Sequence, residues 1–164
     1  DDTLTAYHEA GHAVVGYALG AKIEQVQLGG FDEDDWLPRR FGECRVNWGR
    51  VDPQADWQLQ RELLTVLAGP VAEMVYRDDA THPALDGPSQ GDWAQACERV
   101  REIMPRPEDR TRLLELLTVE LRRALERDDW WAAVAAVADE LLAHESLDQE
   151  QTDEVLGYWV GRLT

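Results

Sequence analysis

Residues 8–12 read His8-Glu9-Ala10-Gly11-His12, an H-E-x-x-H pattern that constrains the chain more than any other feature. Two histidines four residues apart lie on one face of a helix, about one turn apart. Both imidazoles can then reach one Zn²⁺ at roughly 2.0–2.1 Å. Glu9 follows the first ligand, so it projects beside the metal without being forced to bind it. A carboxylate there can take a proton from zinc-bound water, whose pKa the metal lowers to about 7. Three residues thus supply two metal ligands and a general base.

The competing reading is a chance match inside a core helix. The chain has four histidines, His8, His12, His82 and His144, and two of them fall at the required spacing with a glutamate between them. The flanking Ala10, Gly11, Ala13, Val14 and Val15 are small and apolar, as in a buried helix. Two histidines and a glutamate are costly there unless metal or hydrogen bonds satisfy them. Gly11 costs about 1 kcal/mol of helix propensity. A close approach by another backbone would explain it.

Composition narrows the partners. With 16 basic and 33 acidic residues the net charge is −17, which argues against nucleic acid and anionic membrane surfaces. Cys44 and Cys97 form no C-x-x-C pair; read as reduced thiols, they favour an intracellular, cytoplasmic setting. No apolar run approaches the roughly 20 residues needed to span a bilayer, and no signal peptide is visible. The chain opens at Asp1, without Met, and the signature follows almost at once. It therefore reads as a piece of a longer protein whose parent could be membrane-anchored.

The 164 residues suffice for one domain, residues 1–164, with its own core. Thr3 or Thr5 caps a first helix that runs to about Leu19 and stops at Gly20. Residues 23–28 suit a strand with Val26 and Leu28 on one face, and residues 43–48 a partner strand. Between them, Gly29 to Gly42 reads as a polar loop carrying the acidic run Asp32–Asp35. Apolar residues recur at helical spacing from Asp56 to Tyr76. Residues 78–88 read as a loop with two prolines. Ser89 or Gly91 opens a helix to about Met104, and further helices cover about 108–127, 129–144 and 149–162. The expected fold class is mostly α with a small β-element after the first helix.

A catalytic zinc site needs a third protein ligand and an open position for water. Glu73, Asp92, His82 and His144 are candidates, and spacing alone does not separate them. Asp92, in Ser89-Gln90-Gly91-Asp92, also suits the first turn of a helix for its dipole alone. His82 and His144 fall in a loop and at a helix end, poor places for a ligand.

Four segments, in order, carry a resemblance. Thr5-Ala6-Tyr7-His8-Glu9-Ala10-Gly11-His12-Ala13-Val14-Val15-Gly16 resembles the opening of the FtsH-type peptidase domain, the zinc protease half of membrane-anchored AAA proteases. Leu67-Ala68-Gly69-Pro70-Val71-Ala72-Glu73 resembles the family's L-x-G-R-x-A-E helix, with Pro70 where Arg is usual. Ser89-Gln90-Gly91-Asp92-Trp93-Ala94-Gln95-Ala96 resembles its G-A-x-x-D-x-x-x-A-T segment, whose Asp is the third zinc ligand. Ala138 to Leu147 resembles its L-A-x-x-L-L-E-x-E-T-L ending. The likeness spans nearly the whole chain, although only the H-E-x-x-H is highly specific by itself. It implies Asp92 as the third ligand. It also implies an HExxH peptidase fold of the FtsH type.

Departures matter too. The family's Pro-, Gly- and Arg-rich segment bordering its substrate groove is replaced by Asp32–Asp35 and Trp36, so substrate preference stays open. The AAA module and its phosphate loop are absent from these residues. The family's ring assemblies imply a homo-oligomer or a separate ATPase as partners, though ring assembly there leans on parts missing here. Most of the seven tryptophans, Trp36, Trp93, Trp130 and Trp131 among them, are expected in the core or at subunit contacts. Glu73 lies on an apolar helix. It reads equally as a buried partner of a zinc histidine or as a packing carboxylate paired with an Arg.

The leading expectation is a zinc-dependent endopeptidase for unfolded or flexible polypeptides, with His8, His12 and Asp92 holding Zn²⁺ and Glu9 as general base. Substrate would lie extended along an exposed edge strand, residues 23–28. The alternatives are a catalytically silent interaction or regulatory domain on the same fold, and a zinc hydrolase acting on a non-peptide amide.

Overall fold

The structure, a computed structural model, describes residues 2–29 and 42–163. The run Asp32–Asp35 and Trp36 lie outside the described residues. The chain is mostly helical, with one small sheet. In order come α1 (Asp2–Ala18), β1 (Lys22–Leu28), β2 (Gly42–Asn47), α2 (Asp56–Arg77), a single 3₁₀ turn (Pro83–Leu85), α3 (Gly87–Arg101), α4 (Pro107–Leu125), α5 (Asp128–His144), β3 (Ser146–Asp148) and α6 (Gln149–Val160).

α1 is the centre of the molecule, packed against α2, α5 and β1. Every residue from His8 to Gly16 is buried. Small side chains make this packing close. A Cβ on Gly11 would sit 2.5 Å from the Ala68 carbonyl oxygen and 2.7 Å from Ala72 Cβ. This is the close backbone approach that Gly11 implied, and it offsets the glycine's poor helix propensity. Five of the six described tryptophans, including Trp93, Trp130 and Trp131, pack against the core, whereas Trp57 is exposed.

Several expectations need correction. α1 already runs from Asp2, so Thr3 and Thr5 lie inside it rather than capping it. A bulge between Ile23 and Gln25 shifts the strand's alternation. Ile23 and Val26 therefore face the core, and Leu28 is only half-buried. The sheet order is β2-β1-β3, both pairings antiparallel. Residues 23–28 thus form the central strand, with β3 covering residues 25–27 on the second side, and among the described residues β2 is an edge strand instead. The short β3 has only three residues, too few to carry a strand pattern in the sequence. α3 starts at Gly87, earlier than expected, because Pro88 occupies its first turn, where a missing N–H costs nothing.

Candidate metal centre

His8, Glu9 and His12 project from one face of α1, as the pattern requires. Their nearest ligand atoms all lie within 4.8 Å of one another. The chain also brings Asp92 here, from the second turn of α3. Asp92 Oδ2 is 2.7 Å from His8 Nε2 and 3.2 Å from His12 Nε2, and the two Nε2 atoms are 3.2 Å apart. Glu9 Oε1 stands back, 4.0 Å from His8 Nε2. The three closest donors are therefore His8, His12 and Asp92, with Glu9 beside them.

Each imidazole is oriented by its other ring nitrogen. His12 Nδ1 donates to the Thr65 carbonyl of α2 at 2.8 Å. His8 Nδ1 faces Glu73 Oε2 at 3.4 Å, and that oxygen accepts from the Ser89 hydroxyl at 2.7 Å. Glu73, fully buried, thus stands against a site histidine. Through Ser89 it also reaches the first turn of α3.

α2 supplies the floor. A Cβ on Gly69 would collide with His12 Nε2 and lie 2.8 Å from His8 Nε2, so only glycine leaves that point free. On the opposite side, a Cβ on Gly42 would meet Glu9 Cγ and Thr5 Cγ2, both at 2.8 Å. β2 therefore begins in contact with the Glu9 side chain.

The charges are mutually dependent. Burial disfavours a charged imidazole, but hydrogen bonds to Asp92 and Glu73 outweigh it and push His8 up to about 10. His12 is raised by Asp92 against the same burial. Burial also opposes the Asp92 and Glu73 charges, yet the imidazoles hold both carboxyls well below the usual range. Glu9 moves the other way: burial raises it, and the imidazoles only partly offset that.

The donor set fits a divalent cation. Two imidazoles and a carboxylate are a common catalytic zinc set. Bonds of about 2.0–2.2 Å in a tetrahedron would place ligand atoms roughly 3.3 Å or slightly more apart; two of the three separations here are 3.2 Å, and the third, Asp92 Oδ2 to His8 Nε2, is a 2.7 Å hydrogen-bond contact that an ion would have to open. His82 and His144 are elsewhere. His82 caps the 3₁₀ turn and packs edge-on to Trp93, and His144 pairs with Glu140 at the exposed end of α5.

The site opens into a cleft of about 1200 Å³. Cys44 and Val46 of β2, with Trp48 just after it, form one wall; α3 forms another with Asp92 and Gln95. Several contributors escaped the sequence reading. Thr65 acts through its backbone, which leaves no mark on residue type. Ser89 looked like a helix opener. Gly69-Pro70, two poor helix formers in mid-helix, was a visible signal whose purpose only the fold explains.

No protein-family model matches this chain, and neither does any curated protein. Among the described residues no helix is long and apolar enough to cross a membrane.

Proposed function

We propose that this chain is a zinc-dependent endopeptidase acting on unfolded or flexible polypeptides, similar to the peptidase half of FtsH-type proteases. One observation carries the reading: His8 Nε2, His12 Nε2 and Asp92 Oδ2 converge within 3.2 Å, with Glu9 Oε1 standing back 4.0 Å from His8 Nε2, in the wall of a cleft.

His8, His12 and Asp92 would hold the ion. When bound, zinc acidifies water and polarises a carbonyl. Glu9 accepts the proton of the water that attacks the peptide carbonyl. It then delivers that proton to the departing amine as the C–N bond breaks. Glu73 and the Thr65 carbonyl keep the imidazoles turned inward. An extended substrate segment would pair with β2, an edge strand among the described residues, whose first residue lies against Glu9.

Glu9→Gln tests this directly. The variant should keep about one zinc per chain and lose at least about 100-fold in casein hydrolysis. Activity near wild type would sink the general-base role. A wild type that binds zinc yet cleaves no unfolded protein would favour the silent interaction domain.

A further inference from the structure

Arg99 is a cation in the cleft wall. It lies on α3 seven residues after Asp92, two turns along the same face. A guanidinium in such a place would ordinarily await a substrate anion, but this one is already engaged on three sides. Nε donates to Glu62 Oε2 on α2 at 2.7 Å, Nη1 to Glu102 Oε2 at 3.1 Å, and Nη2 to the Pro53 carbonyl at 2.5 Å. The Arg99 and Glu62 side chains are only 20% and 23% exposed.

These bonds join parts that the site needs in register. Glu62 lies three residues before Thr65, whose carbonyl orients His12. Pro53 belongs to the segment between β2 and α2. Arg99 therefore ties the helix bearing Asp92 to the α2 segment behind His12 and to the far end of the β2 wall. α3 has few other anchors. Among the described residues its only fully buried apolar side chains are Ala96 and Val100. Its first turn is held by Ser89 on Glu73. Asp92 sits between the two polar ties, three residues after one and seven before the other.

We infer that Arg99 is a positioning residue for the metal site: by tying α3 to α2 through Glu62, it holds Asp92 where Asp92 completes the ligand set of His8 and His12. This rests on the proposed metal site. Arg99 touches no ligand; it acts through the position of the helix.

The test measures Zn²⁺ affinity of the full chain by competition with a chromophoric chelator, alongside the Tm of the zinc-free protein. Arg99→Gln should weaken zinc binding about tenfold, the low end for residues outside the ligand shell. Arg99→Lys should fall between, since one ammonium does not span three fixed acceptors. Arg101→Gln, which breaks only an exposed pair with Glu98, should leave affinity unchanged. A general structural role would lower Tm without singling out zinc. An unchanged affinity in Arg99→Gln overturns the inference, and so does an equal loss in Arg101→Gln. If Arg99→Gln does not fold, Glu62→Gln breaks the same tie from α2 and is judged identically. A wild type that binds no zinc overturns the site itself, a result distinct from a wild type and an Arg99→Gln that bind it equally.

Discussion

Helix α1 delivers His8, Glu9 and His12 from a run buried without interruption from His8 to Gly16, whereas α3 delivers Asp92 from a helix that buries only Ala96 and Val100 of its apolar side chains among the described residues. On α1 the relative placement of the three groups is set by helix geometry alone. On α3 the proposed ligand comes from 80 residues further along the chain, and its place depends on docking one helix against another. Beside the apolar contacts of Ala96 and Val100, two polar ties flank that docking: Ser89 to Glu73 at one end, Arg99 to Glu62 at the other. Half of the site is built by local geometry and apolar packing, and the other half by a small apolar contact and a few directed bonds.

Removing a ligand from each helix is the most severe test of this contrast. His8→Ala and Asp92→Ala should each reduce retained zinc, measured by elemental analysis after dialysis, from about one per chain to near none, since three protein ligands are the usual catalytic set. Full zinc in Asp92→Ala would remove α3 from the site and break the comparison.

Proton removal probes the same junction in the metal-free protein. His8 is raised from about 6.5 to about 10 by its carboxylate partners. A raised histidine contributes stability that is complete below about pH 6.5 and is lost as pH climbs toward 10. The lowered carboxyls of Asp92 and Glu73 contribute stability that is lost instead as pH falls below about 4. Metal-free protein should therefore be most stable between about pH 5 and 6.5, and its Tm should fall by roughly 5–10 °C toward pH 10. Zinc-loaded protein should lose much less over that range, because the ion takes the place of the protons. Parallel curves with and without chelator would show that the α1–α3 contact is not held by protonated imidazole.

A matched pair of glycine substitutions gives the smallest effects and the sharpest sign test. Gly11→Ala places a Cβ against the Ala68 carbonyl in the α1–α2 seam and should destabilise by about 2 kcal/mol. Gly91→Ala on α3 meets nothing within 4 Å and should stabilise by up to about 1 kcal/mol through helix propensity. Equal effects in urea denaturation would mean that the two helices are packed alike.

Much of this was legible beforehand. The strong helical periods of α2, α4, α5 and α6 fell close to their observed bounds, and Gly11 advertised its close contact. What escaped was long-range or non-local. Residues 23–28 look like any half-buried strand, and nothing in them says that β3 will cover their second side. Gly87-Pro88 reads as a loop until the helix that it opens is seen. Glu73 balanced between a histidine and an arginine until packing placed it 3.4 Å from His8.

The amino-acid sequence by itself determined the His8, Glu9 and His12 constellation, because three groups within five residues of one helix are related by its fixed rise and turn. It also marked Asp92 as a candidate. Only the tertiary structure decided that Asp92 Oδ2 stands between the two imidazoles, that Gly69 clears the space beneath them, and that β2 rather than β1 offers an edge to the cleft. Those facts depend on which faces of α1, α2, α3 and the sheet pack together, and side chains distributed over the whole chain set that packing.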